Sequence, residues 1–166
     1  MEIKFDQYRI LFVCTGNICR SPLAEAILWA EIDKTKIGGW LSIDSAGIID
    51  FHEDEPADTR AQKTGATYGM DMSQFRARQI TQQDFEDSDI LIALDQSHFD
   101  AMLGRAPEKA KERIKLLTDF APDLDIRDIR DPYYGKQEDF DEVAREIEIC
   151  IKGLVAELYD YFPDAG

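Results

Sequence analysis

Two kinds of segment alternate along the chain. Arg9 to Val13 (RILFV) and Asp89 to Leu94 (DILIAL) are short apolar runs with little polar interruption, as expected of strands buried on both faces. Leu41, Ile43 and Ala46 predict another strand between them, and Arg113 to Leu117 a shorter one further on. Helical spacing fills the intervals. Leu23, Ala26, Ile27 and Ala30 share one face after Ser21-Pro22, a pair that predicts a helix opening with Ser21 as N-cap and Pro22 in the first turn. Asp58 to Tyr68 and Gln96 to Leu103 predict two more helices. Phe140, Val143, Ile147, Cys150, Ile151, Leu154 and Leu158 keep a helical period of about 3.6 residues and predict a long closing helix.

Strands alternating with helices predict an α/β fold, a four-stranded parallel sheet with helices on both faces. In such sheets ligands bind in the crevice beyond the carboxyl ends of the strands. The 166 residues suit one domain, read here as residues 1–166 with 1–7 as a short N-terminal extension.

Charge narrows the functions available. Lys and Arg total 19 against 34 Asp and Glu, a net charge of −15 that repels phosphate backbones and anionic lipid headgroups. Generic nucleic-acid or membrane-surface binding is therefore not expected, although one locally positive pocket is still allowed. No apolar stretch approaches the roughly 20 residues of a membrane helix, and Ile10 to Cys14 is too short for a signal-peptide core, so the expected location is cytoplasmic. Three cysteines, two of them in one Gly-containing loop, make no disulfide framework, and His52 and His98 are too few to complete a zinc site. Glu53-Asp54-Glu55 reads as a solvated loop. Neither a metal nor a cofactor is expected.

The chemistry concentrates in Cys14-Thr15-Gly16-Asn17-Ile18-Cys19-Arg20-Ser21, between the first strand and the first helix. A loop there can aim several backbone N–H groups inward as an anion-binding nest, and Gly16 and Asn17 tolerate the unusual backbone angles of such a curl. Arg20 adds a planar fork matched to two phosphate oxygens. Cys14 would face the same nest, where the helix dipole and Arg20 favour its thiolate. A soft nucleophile beneath a bound phosphoryl group is the apparatus for phosphoryl transfer to sulfur. The Gly-Lys-Ser/Thr ending of a Walker-type loop is missing.

Val13 to Pro22 (VCTGNICRSP) resembles the phosphate loop of the low-molecular-weight protein tyrosine phosphatases, and Asp131-Pro132-Tyr133-Tyr134-Gly135 resembles their general-acid loop. Asp44-Ser45-Ala46-Gly47 and Ala77-Arg78-Gln79-Ile80 match further landmarks, so the resemblance covers roughly Tyr8 to Tyr161. It implies hydrolysis of phosphotyrosine on proteins and of small aryl phosphates, with inorganic phosphate as product. It implies Cys14 as nucleophile carrying a phosphocysteine, Arg20 holding the phosphoryl oxygens, and Asp131 as general acid and then base. Ser21 would donate to the Cys14 sulfur, and Asn17 and Ser45 would brace a loop completed by Thr15, Gly16, Ile18 and Cys19. Tyr133 and Tyr134 would line the pocket mouth, a pair that in the family can itself be phosphorylated. Phe51 would stack on a phenyl ring; on periodicity alone it reads equally as a hydrophobic plug beneath its loop. The resemblance also implies Cys19 as redox partner of Cys14, while Cys150 reads as packing. One departure is Gln74, which falls where several relatives carry a loop-supporting histidine and could still hydrogen bond.

Other functions are weighed on particular residues. Arsenate reductases of this fold relay a disulfide to later cysteines, whereas only Cys150 follows the loop here, on the final helix. Arginine phosphatases of the fold typically carry Thr where this chain has Ile18. A non-catalytic phosphate-binding module would have no use for both Arg20 and Asp131.

Overall fold

The computed structural model of the protein describes residues 7–162. Strands β1 (Tyr8–Cys14), β2 (Leu41–Gly47), β3 (Ile90–Ala93) and β4 (Ile114–Leu116) form one parallel sheet in the order β2-β1-β3-β4. The helices are α1 (Arg20–Ile32), α2 (Thr59–Thr67), α3 (Gln82–Asp87), α4 (Gln96–Arg105) and α5 (Gln137–Tyr161). Residues 1–6 of the N-terminal extension lie outside the described residues; Gln7, its last, donates to the Gly39 carbonyl at 3.4 Å.

The pleat of β1 explains both layers. Successive side chains point to opposite faces, so Ile10, Phe12 and Cys14 enter the core built with α1, α2 and α5, while Leu11 and Val13 enter the one built with α3 and α4. β1 is buried because it is central, paired with β2 on one side and β3 on the other. The direction of strand addition reverses between β1 and β3, and the crevice this opens lies at the carboxyl end of β1. Cys14 stands there.

Two details differ from expectation. Ser21 is not an N-cap: α1 begins at Arg20, Cys19 holds the cap position, and no side chain caps the first turn. The Ser21 hydroxyl has turned into the loop instead, as described below. Helix α3 was not expected, being six residues long with only Phe85 buried, too short to show a period. Its signal is local: the Thr81 hydroxyl accepts from Asp84 N–H at 3.2 Å while the Asp84 carboxylate accepts from Thr81 N–H at 2.8 Å, a capping box.

Phe12, fully buried at the sheet centre, tests this core. Phe12→Ala should lower unfolding free energy by about 3–5 kcal/mol in denaturant titration. A loss below about 1 kcal/mol would be inconsistent with a tightly packed site there.

Candidate active site

Cys14 ends β1, and the chain then curls toward α1 through a buried turn. Asn17 is the residue in left-handed conformation, with φ of 59°, and it is fully buried. Gly16 keeps a negative φ, so its need for glycine is spatial: a Cβ there would lie 2.9 Å from His52 Cδ2. Gly47, where β2 ends, is constrained more severely, since a Cβ would lie 2.9 Å from the Thr15 carbonyl oxygen and 3.1 Å from the Asn17 nitrogen. The loop is thus pressed directly against β2.

Hydrogen bonds hold the curl from behind. Asn17 Nδ2 donates to Ser21 Oγ at 2.8 Å and to Ser45 Oγ at 3.0 Å, and Asn17 Oδ1 accepts from Arg78 N–H at 3.0 Å. Ser45 Oγ donates in turn to Glu25 Oε2 at 2.7 Å. Ser21 Oγ, which accepts from Asn17, lies 2.9 Å from Cys14 Sγ and 3.5 Å from the Ala46 carbonyl, so its proton has both as acceptors and the sulfur is the nearer. Gln74 takes no part in these bonds and lies exposed in a turn.

Arg20 is buried, at 4 % exposure, and its position is fixed by acceptors. Nη1 donates to Asp95 Oδ2 at 2.7 Å and to the Ile129 carbonyl at 2.8 Å, which commits both of its protons. Nη2 lies 3.4 Å from both Thr15 Oγ1 and His98 Nε2, and 3.8 Å from Asp131 Oδ2. The Nε and Nη2 edge is the fork left for an oxyanion. Burial would raise the Asp95 carboxyl, but the Ser97 hydroxyl, His98 and Arg20 outweigh it and hold the group below the usual carboxylate range.

A cavity of about 480 Å³ opens over this floor. Cys14, Thr15, Gly16, Ile18, Cys19 and Arg20 line its base, and Phe51, Asp131, Tyr133 and Tyr134 its walls and mouth. Asn17, Ser21 and Ser45 stand behind the base. Phe51 is 77 % exposed at the mouth, so it is a wall residue and not a plug. Arg60 secures the acid loop from α2, donating to the Tyr133 and Gly135 carbonyls at 2.9 and 2.8 Å while Asp58 grips the same guanidinium. Sequence reasoning missed Asp95, His98, Glu25 and Arg60, and it passed over Ile49, which also lines the cavity. Asp95 had a usable signal: it stands two residues beyond β3, at the sheet's carboxyl edge, and caps α4. Among the described residues no cluster of three His, Cys, Asp or Glu side chains could hold a metal ion, and no helix is long and apolar enough to cross a membrane.

A thiol at the base of an anion cradle, with a carboxylate on the wall, defines a cysteine-based phosphoric monoester hydrolase on a parallel α/β sheet. The chain belongs to the low molecular weight phosphotyrosine protein phosphatase family, whose model matches residues 9–161. It is 39 % identical over 155 residues to a low molecular weight protein-tyrosine-phosphatase of Streptomyces coelicolor, covering 90 % of this chain and 92 % of that one. The crystal structure of YfkJ from Bacillus subtilis superposes with a TM-score of 0.88 at 35 % identity, covering 95 % of this chain and 98 % of that one. The YwlE arginine phosphatase from Geobacillus stearothermophilus also superposes, with a TM-score of 0.81 at 31 % identity over 95 % of this chain and 96 % of that one.

Glu25 gives the loop's support a pH signature. Burial is the main cause that pushes its carboxyl up to about 7, against the Ser45 hydrogen bond and Arg78, which favour the carboxylate. The folded protein therefore holds the Glu25 proton more tightly than the unfolded chain between about pH 4.5 and 7. Stability contributed by the protonated group is lost as pH rises through that window. Glu25→Gln should flatten this part of the melting-temperature profile, and an unchanged profile would show that Glu25 ionises as it does in water.

Proposed function

We propose that the chain, read as a single phosphatase domain over residues 1–166, hydrolyses phosphotyrosine through a phosphocysteine on Cys14. Phosphotyrosine-bearing proteins are its substrates, inorganic phosphate is the product, and the cytoplasm is the proposed location. The observation that carries the reading is one cavity with Cys14 and Arg20 at its base and the Asp131 carboxylate 3.8 Å from Arg20. Cys14 attacks phosphorus from the base. The free edge of Arg20 holds two phosphoryl oxygens and stabilises the charge that spreads over them. Asp131, half-exposed on the wall, protonates the departing phenolate and then takes a proton from the water that cleaves the thiophosphate. Ser21 donates to the sulfur and eases its departure, while Asn17 and Ser45 keep the loop curled. The aromatic wall of Phe51 and Tyr133 suits a phenyl ring, and Tyr134 extends it at the rim. Ile18, buried in the base, presents a hydrocarbon surface where a phosphoarginine site would need polar contacts.

Matched peptides carrying phosphotyrosine, phosphoserine, phosphothreonine or phosphoarginine test the reading. A clear advantage in kcat/KM for phosphotyrosine is expected, with turnover abolished by Cys14→Ser and severely reduced by Arg20→Ala. Asp131→Asn should slow phosphotyrosine hydrolysis by roughly 10²–10⁴-fold and activated aryl phosphates less. Preference for phosphoarginine would overturn the specificity, and an unaffected Asp131→Asn would overturn the assigned acid.

Redox control follows from the same base. Cys14 and Cys19 are both free and both line the cavity, so a sulfenic acid on Cys14 can be captured by Cys19, forming the disulfide and releasing water. Burial, with Asp58 next, raises the Cys19 thiol and makes it a slow partner. Peroxide should inactivate the enzyme and a dithiol restore it, with poorer recovery in Cys19→Ser. Equal recovery would remove Cys19 from the cycle.

A further inference from the structure

His98 is buried, 2 % exposed, yet it reaches the cradle from α4. Its Nε2 lies 2.8 Å from Thr15 Oγ1 and 3.4 Å from Arg20 Nη2. Its Nδ1 has no hydrogen-bond partner but sits 3.2 Å from Asp95 Oδ1, close enough for attraction though off the line of a hydrogen bond. We propose that His98 is a positioning residue of the phosphate cradle: as a neutral imidazole protonated on Nδ1, it accepts the Thr15 hydroxyl proton and so holds Thr15 and Arg20 in place beside Cys14.

The proton's location follows from the neighbours. A guanidinium nitrogen offers only donors, so the ring nitrogen facing Arg20 is favoured as an acceptor. The opposite tautomer would set a donor against Arg20 and a bare lone pair against the Asp95 carboxylate. With the proton on Nδ1, Thr15 donates to Nε2 and its oxygen lone pairs are left for Arg20 Nη2, 3.4 Å away. Arg20, Asp95, His98 and Thr15 then form a closed ring of contacts, in which Asp95 holds Nη1 and the His98–Thr15 pair supports Nη2. The charged groups facing the imidazole are Arg20 from α1, Asp95 at the start of α4, and Asp128 and Asp131 from the acid loop. Burial and Arg20 push the ring down to about 4 against the pull of the three carboxylates. One protonation state therefore persists across pH 5–8.

The hydroxyl–imidazole–carboxylate order is that of a hydrolase triad. Here the hydroxyl belongs to the cavity base and the nucleophile is the neighbouring thiol. The part of the inference that concerns turnover rests on the phosphatase reading; the tautomer and phosphate binding do not.

With only two histidines in the chain, long-range ¹⁵N–¹H spectra of wild type and His52→Gln resolve and assign both rings. His98 should show a neutral Nδ1–H tautomer throughout pH 5–8; an Nε2–H tautomer, or a ring that titrates in that range, would overturn the proposal. Two variants then separate positioning from bulk. His98→Gln keeps an acceptor near the Nε2 site, whereas His98→Asn keeps a group facing Asp95 but falls short of Thr15. His98→Asn should raise KM for an aryl phosphate and the Kd for inorganic phosphate by roughly 3- to 10-fold, the worth of one neutral hydrogen bond. The effect on kcat should be smaller, His98→Gln should recover most of the loss, and in a Thr15→Val background His98→Asn should add little. Equal losses in the Gln and Asn variants, or full additivity with Thr15→Val, would overturn the assignment. A wild type that binds phosphate and shows the Nδ1–H ring but hydrolyses no phosphotyrosine would sink the phosphatase reading alone.

Discussion

Asn17 turns the backbone through a left-handed conformation inside the protein, and the geometry of the cavity base depends on that turn. For most residues this backbone region costs roughly 1–2 kcal/mol, less for Asn because its short amide bonds locally. Here the amide spends its capacity on three elements: Ser21 in α1, Ser45 in β2 and the backbone of Arg78. Each is a structural tie, and together they hold the Ser21 oxygen beside the Cys14 sulfur. Asn17 donates to Ser21 Oγ, and Cys14 Sγ is the nearer of that hydroxyl's two acceptors. A backbone constraint thus fixes the surroundings of the Cys14 sulfur.

The same economy governs the cation. Asp95 and the Ile129 carbonyl occupy one nitrogen of Arg20 and hold the guanidinium in the base. Preorganisation of this kind removes the need to order a long side chain at the moment of binding. It also explains how a chain of net charge −15 can hold an anion: the positive charge is local, buried and fixed, while the acidic excess lies mainly on the surface.

How far the sequence could be read depended on contiguity. The residues from Cys14 to Ser21 are adjacent in the chain, bounded by an apolar strand and a Ser-Pro step, and their purpose follows from composition and order alone. Asp131 has no such context; it is one of 34 carboxylates, and only the resemblance of Asp131-Pro132-Tyr133-Tyr134 to a known loop singled it out. Asp95 carries only the local signal of a strand end and a helix cap, and nothing in the sequence joins it or His98 to the cradle. They lie 75 and 78 residues from Arg20, and only the β1–β3 pairing brings their strand end to the cradle. Ser21 misled because Ser before Pro favours a cap, and a tertiary demand for its hydroxyl overrode that local preference.

The two parts of the cavity are built differently. The base sits on the end of a central strand, with Cys14, Asn17, Arg20 and Ser21 all buried, so substitution there disturbs the core as well as the reaction. The mouth is made by exposed side chains on two loops: Phe51 at 77 % and Tyr134 at 94 % contribute little to folding. Arg60 ties the second loop through the backbone carbonyls of Tyr133 and Gly135, and its guanidinium also lies over the Tyr133 ring at 5.8 Å. Phe51 and Tyr134, the most exposed of the rim residues, can therefore change with little effect on the backbone ties of the loop that carries Asp131. The cavity thus joins a base built into the core to a rim of exposed side chains, and its lining adds the apolar contacts of Ile18 and Ile49.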